Sequence, residues 1–192
     1  MEKICPNCNS DLPNPVACST CYSLFVPDLR ARKAHLINIL KDHALVQKYS
    51  DKDEESGDET RQLFWRTIEK EYPEIASIES GWLFLELFDE LLGTGAIGQA
   101  MRDPSMREVR VLGHDQIFAQ NMIGKLKTGL AYESPKHLKS SMQKMIAKLG
   151  LAETKGAQGK YEYHAPDQYH LTINLAPSES EPEYLKVRSV LA

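Results

Sequence analysis

The chain has 192 residues and a mass of 21.7 kDa, room for one ordinary domain and a small appendage but not for two large domains. Its 42% hydrophobic and 26% charged residues are a globular composition, and a net charge of −4 excludes a uniformly basic nucleic-acid binder while leaving room for a local basic patch. No stretch approaches the roughly 18 apolar residues of a membrane span, and Met1-Glu2-Lys3-Ile4-Cys5 lacks the apolar core of a secretory signal, so a cytoplasmic protein without membrane insertion is the expectation.

All four cysteines fall at the start, as Cys5-Pro6-Asn7-Cys8 and Cys18-Ser19-Thr20-Cys21. Two C-x-x-C pairs with a short spacer can present four thiolates tetrahedrally to one ion, and Pro6 and Asn7 suit the tight turn inside the first pair. A reducing compartment argues against a disulfide staple, and a thioredoxin-type redox site needs a strand-to-helix setting that is missing. Cys5, Cys8, Cys18 and Cys21 are therefore the expected ligands of a structural Zn2+ in a ribbon over residues 1–26. Four sulfur ligands leave no open position for catalysis.

A connector helix is expected over 27–48, opened by Pro27-Asp28 with Asp28 as N-cap, with Leu29, Leu36, Ile37, Leu40 and Ala44 on one face. Arg30, Arg32, Lys33 and Lys41 are its basic residues. They read as a solvated face or, with the ribbon, as a nucleic-acid contact. The acid-rich Asp51-Lys52-Asp53-Glu54-Glu55-Ser56-Gly57-Asp58-Glu59 reads as an exposed linker over 49–59 and marks the boundary of a domain over 60–192.

Helical spacing returns with Phe64, Ile68 and Tyr72, stopping at Pro73. A second helix from about Ser77 to Leu92 carries apolar residues around most of its circumference and reads as buried. Gly93-Thr94-Gly95-Ala96-Ile97-Gly98 has the letters of a dinucleotide-binding loop, but a helix precedes it where the fingerprint needs a strand, so it reads as a helix stop and turn. Alternation over Glu108–Leu112 and Gln116–Gln120 around Gly113-His114-Asp115 signals a hairpin, and Lys125 to Leu130 a third strand. Pro135 opens a helix to about Leu149 on a stripe of Leu138, Met142, Met145, Ile146 and Leu149. Tyr161–Tyr163, Tyr169–Leu175 and Tyr184–Val190 read as strands. The class is α+β: a zinc ribbon, a connector helix, then helices packed on a small, mostly antiparallel sheet.

The order of motifs from about Leu85 to Ala192 resembles the N-terminal domain of the type II/type IV secretion ATPases, in the branch that drives tight-adherence pili. The family's Gly-x-Gly-Pro-Leu turn is similar to Gly93-Thr94-Gly95-Ala96-Ile97, its Asp-Pro-Ser to Asp103-Pro104-Ser105, and its Thr-Glu-Ile-Met-Val-Asn-Gly strand to Arg107-Glu108-Val109-Arg110-Val111-Leu112-Gly113. Asp115-Gln116-Ile117-Phe118 and Gly124-Lys125-Leu126 match its next strand and turn. Pro166-Asp167-Gln168-Tyr169-His170-Leu171 stands where the family has Pro-Asp-Gly-Ser-Arg-Val, and Leu185-Lys186-Val187-Arg188 where it has Leu-Thr-Ile-Arg. The family's motor domain follows directly with a Walker A loop, whereas no G-x-x-x-x-G-K-[ST] occurs here. His170 replaces the arginine that the family's domain can lend to nucleotide, and Ala152-Glu153 stands where a basic pair is expected.

The histidines His35, His43, His114, His137, His164 and His170 form no metal-binding spacing, although His164, Asp167 and His170 are close enough to meet across a turn. Ser140-Ser141 lacks a nucleophile elbow. Tyr161, Tyr163 and Tyr169, interleaved with Lys160, His164 and His170, read as core and rim of a sheet or as a stacking platform for single strands. No catalytic constellation emerges, and the expectation is a non-catalytic protein-binding adaptor or regulator. The resemblance implies a secretion or pilus ATPase, or its platform, as partner, with self-association as a further outcome. The alternatives are a fragment of a longer ATPase whose motor domain is missing, and a nucleic-acid-binding module built on the ribbon and the Arg30-Arg32-Lys33 helix.

Overall fold

A computed structural model describes residues 4–11, 16–26, 28–50, 58–103, 105–121, 124–165 and 169–189. Among them run α1 (Asp28–Leu40), α2 (Ala44–Ser50), α3 (Asp58–Glu71), α4 (Ser77–Leu91), a 3-10 turn (Gly95–Ile97), α5 (Gly98–Arg102), β1 (Glu108–Gly113), β2 (Gln116–Gln120), β3 (Lys125–Lys127), α6 (Pro135–Lys148), β4 (Lys160–His164), β5 (Tyr169–Asn174) and β6 (Leu185–Ser189). The fold is α+β, with an antiparallel six-stranded sheet in the order β3-β2-β1-β6-β5-β4. Each half is a local meander, and α6 carries the chain from one edge of the sheet to the other.

The period-two pattern puts Val109, Val111, Ile117, Ala119, Leu171, Ile173, Leu185 and Val187 on one face. That face packs against Leu138, Met142 and Met145 of α6 and Ala96, Ile97 and Ala100 of the 3-10 turn and α5. A second core lies among α1, α3 and α4, where Leu29, Leu36, Leu40, Phe64, Ile68, Leu83 and Leu87 are fully buried. The Ser134 hydroxyl caps α6 by accepting from His137 N at 3.1 Å, with Pro135 in the first turn.

The connector differs from the expected single helix. It breaks at Lys41-Asp42-His43, where His43 Nδ1 accepts from Leu45 N at 3.2 Å and His43 O from Gln47 N at 3.0 Å, capping α2. The redirected helix buries Val46 in the same core as Leu40. The linker segment 51–57 lies outside the described residues, and its flanks, through Ser50 and from Asp58, are helical. Strand β3 is also shorter than expected, because the chain leaves the sheet edge at Thr128-Gly129 to meet the N-terminal segment.

Helix α4 is not buried all round. Ile78 and Leu85 are 45% and 46% exposed, whereas Glu86 and Asp89 are buried. Glu86 and the neighbouring Glu90 face partners: Lys33 Nζ of α1 stands 3.2 Å from Glu86 and 3.7 Å from Glu90, and His137 Nε2 of α6 stands 2.5 Å from Glu90. Burial, only partly offset by Lys33, pushes the Glu86 carboxyl up. The glycines after α4 are explained by packing. Gly95 has φ +69°, and a Cβ there would stand 3.0 Å from the Tyr132 ring; one on Gly98 would overlap the Asp89 carboxylate. The G-x-G-x-x-G letters thus belong to a close helix–turn–helix junction, in line with the reading as a stop and turn.

Candidate metal centre

The four cysteines converge. Ile4 and Asp11 form one isolated antiparallel bridge and Ala17 and Leu24 another, so each C-x-x-C sits in the tip of a miniature hairpin. The second knuckle repeats the first thirteen residues on. Cys5 N donates to Ser10 O and Cys18 N to Ser23 O; Asn9 N donates to Cys5 O and Tyr22 N to Cys18 O, all at 2.8–2.9 Å. The residue after each second cysteine is left-handed, Asn9 at φ 57° and Tyr22 at φ 59°. Asparagine tolerates that region; for tyrosine it is costly and persists only where the surroundings fix it.

The sulfur atoms Cys5 Sγ and Cys21 Sγ are 3.7 Å apart, as are Cys8 Sγ and Cys18 Sγ, and all four lie within 4.8 Å of one another. This is far beyond a disulfide of about 2.05 Å. It fits four thiolates around one ion, since zinc–sulfur bonds of about 2.3 Å in a tetrahedron set the sulfurs about 3.8 Å apart. Ser10 Oγ stands 3.1 Å from Cys8 Sγ and 3.3 Å from Cys18 Sγ, and Ser23 Oγ stands 3.1 Å from Cys21 Sγ, so serine hydroxyls lie within hydrogen-bond distance of three of the sulfurs from outside the quartet. Burial acts to raise Cys18, but the Ser10 hydroxyl and the backbone N–H groups of Cys21 and Thr20 outweigh it and bring the thiol to about 6. Burial pushes Cys21 up to about 12. Four thiols this close ionise together only with a cation among them, so the arrangement can hold a metal ion. The two serines escape attention when only C-x-x-C is sought; the repeated C-x-x-C-x-S is the signal that finds them.

The ribbon does not hang from a tether. Tyr22 is buried in the sheet core, and its hydroxyl donates to Asp103 Oδ2 at 2.8 Å. Burial, reinforced by Asp103, pushes the Tyr22 phenol well above its ordinary value. Leu126 of β3 packs on the cysteines, while Val16, Leu24 and Val26 join the helical core. The closest approach is at Gly129. Its N donates to Cys21 O at 2.6 Å, and a Cβ there would meet Ser23 Cα at 2.5 Å. The segment before the linker thus packs into both cores of the body that follows it.

Other candidates have structural tasks. Arg30 donates to Gly129 O at 3.3 Å, Arg32 lies 3.6 Å from Glu79, and Lys33 is held by Glu86 and Glu90, so these three cations of α1 are engaged within the chain. His35 faces Glu71, His114 sits in the β1–β2 turn beside Asp115, and His137 is bound to Glu90. His164 and His170 are cross-strand partners with ring centroids 4.2 Å apart, whereas Asp167 lies outside the described residues. Tyr161, Tyr163 and Tyr169 turn toward the sheet core, on the opposite face from His164 and His170. Ser141 is buried near Gly95. Among the described residues, no helix is long and apolar enough to cross a membrane, and the cysteine quartet is the one group of three or more metal-ligating side chains. No protein-family model matches the chain, and no curated protein matches it closely enough to be called a relative.

Proposed function

We propose that the chain is a non-catalytic adaptor whose ribbon holds one structural zinc ion and whose helix-and-sheet body docks on a protein partner, a secretion or pilus ATPase or its membrane platform. The observation that supports it is the closed quartet. Soft thiolates suit zinc, and four of them fill its tetrahedral sphere, leaving no position for water or substrate. The ion's contribution is to cross-link two knuckles whose second member is built into the body. Cys5, Cys8, Cys18 and Cys21 hold it, Ser10 and Ser23 steady the sulfurs, and Tyr22 and Gly129 seat the ribbon on the sheet. The choice of partner follows the order of motifs from Gly93 to Arg188 that resembles the ATPase N-terminal domain.

Two measurements test the reading. Elemental analysis of protein purified under reducing conditions is expected to give one zinc per chain, lost in Cys21→Ser; metal-free protein that is nonetheless folded would remove the ribbon. Tagged protein captured from its native host is expected to retain a secretion or pilus ATPase or platform subunit. Recovery of neither, with zinc in place, would remove the partner.

A further inference from the structure

One face of the sheet is packed; the other carries exposed side chains, and its composition is unlike the rest of the molecule. Register partners form two rows across all six strands. One row is Lys127, Phe118, Arg110, Lys186, Thr172 and Glu162, and the other is Lys125, Gln120, Glu108, Arg188, His170 and His164. Each row crosses five inter-strand gaps, about 24 Å at the usual spacing. In a chain of net charge −4, five of these twelve positions are Lys or Arg and two are Glu.

The charges are organised around Glu108. Its buried carboxylate takes Arg110 Nε, Arg188 Nη2 at 3.0 Å and Lys186 Nζ at 3.6 Å. Arg110 also reaches Glu183 at 3.2 Å at the rim. Two carboxylates against three cations leave an excess of one positive charge in the cluster, offered outward by Lys186 and Arg188. Lys125 and Lys127 are exposed at the β3 edge, with Lys125 Nζ 5.2 Å from the Phe118 ring centre. At the other edge the imidazoles of His164 and His170 meet edge to face, both exposed, above a cavity of about 230 Å³ lined also by Lys186 and Arg188.

We propose that this open sheet face binds single-stranded nucleic acid laid across the strands. Cations repeated along a row that long match a polyanion better than a single small anion. The planar groups between them, Phe118 at one end and the His164–His170 pair at the other, supply surfaces on which unpaired bases stack, and Gln120 and Thr172 supply hydrogen bonds. A duplex is the poorer fit, since among the described residues no helix is packed on this face to enter a groove. The site is separate from the ribbon and from the cations of α1, which are engaged internally, and the proposal does not depend on the ATPase reading.

The test is fluorescence anisotropy of the zinc-loaded full chain with labelled oligo-dT and oligo-U of about twelve nucleotides. Saturable binding is expected, with log K falling against log salt at a slope of about −3, the value for about four phosphates on a single strand. Lys127→Glu with Arg188→Glu should weaken binding more than about tenfold and flatten that slope. His164→Ala with His170→Ala should weaken it about tenfold and leave the slope unchanged. Zinc content and circular dichroism of each variant report whether the body is intact, and Lys125→Glu, remote from the Glu108 cluster, serves as an independent probe. No saturation at about 50 mM salt would overturn the proposal. So would equal affinity for polyglutamate, equal affinity for a single nucleotide, or binding that none of the face variants weakens.

Discussion

Among single residues, the Glu90–His137 pair makes the sharpest statement. The hydrogen bond to Glu90 raises the imidazole above its ordinary 6.5, with burial opposing. Burial would raise Glu90, but His137, Lys33 and Lys144 more than offset it and hold the carboxyl below its ordinary 4.5. A raised histidine contributes stability that is complete below 6.5 and disappears as pH climbs through the folded value. A lowered carboxylate contributes above 4.5 and fails as pH drops through its folded value. The pair therefore stabilises most between those limits. His137→Gln should cost about 1–2 kcal/mol near pH 5.5 and progressively less on the alkaline side, read by urea unfolding at a series of pH values. A difference that grows above pH 7 would contradict the ion pair.

At the level of elements, Gly129 decides whether the ribbon can sit on the sheet. Two backbones meet there with no room for a methyl group, so Gly129→Ala should destabilise the chain by about 1–3 kcal/mol and open the ribbon to protease, while the isolated quartet still binds metal. Wild-type stability in that variant would mean that the contact is dispensable. Sequence pattern reads the elements themselves well, because their causes are local: alternation at Val109-Arg110-Val111, the stripe through Leu138, Met142 and Met145, the stop at Gly93. The cysteine quartet is equally legible, since ligand spacing within a knuckle is a property of a few adjacent residues. What pattern does not reveal is set by distant partners. Nothing near Thr128 says that β3 will end to meet Ser23, nothing near Glu86 announces Lys33 across the helical layer, and the helix break at His43 answers to the burial of Val46. The open sheet face shares this property: its rows exist only once six strands are in register.

For the whole molecule, the ribbon and body share their cores, with Tyr22 in one and Val16, Leu24 and Val26 in the other. On the reading proposed above, the binding energy of the metal is then folding energy for more than the first 26 residues. Chelation should lower a single melting transition by about 10 °C or more, since each kcal/mol is worth about 2–4 °C at this chain length. Two separate transitions, with the upper one unmoved by chelator, would restore an independent ribbon.

The middle of the sheet is sewn by its most distant strands, β1 against β6, with Glu108 opposite Arg188. During synthesis, β1, β2 and β3 can form a meander as soon as they emerge, and β4 can pair with β5 soon after. The join between the two pieces waits for residues 185–189. Until then two hairpin-like fragments expose unpaired edges at what will become the centre of the sheet, the kind of surface that captures a neighbouring chain. Rapid collapse of each piece and a slower, sequence-distant closing step are the expected kinetics. A stop codon placed just before Leu185 should make the product aggregate more readily than the full chain, although it removes no cysteine and, among the described residues, no helix.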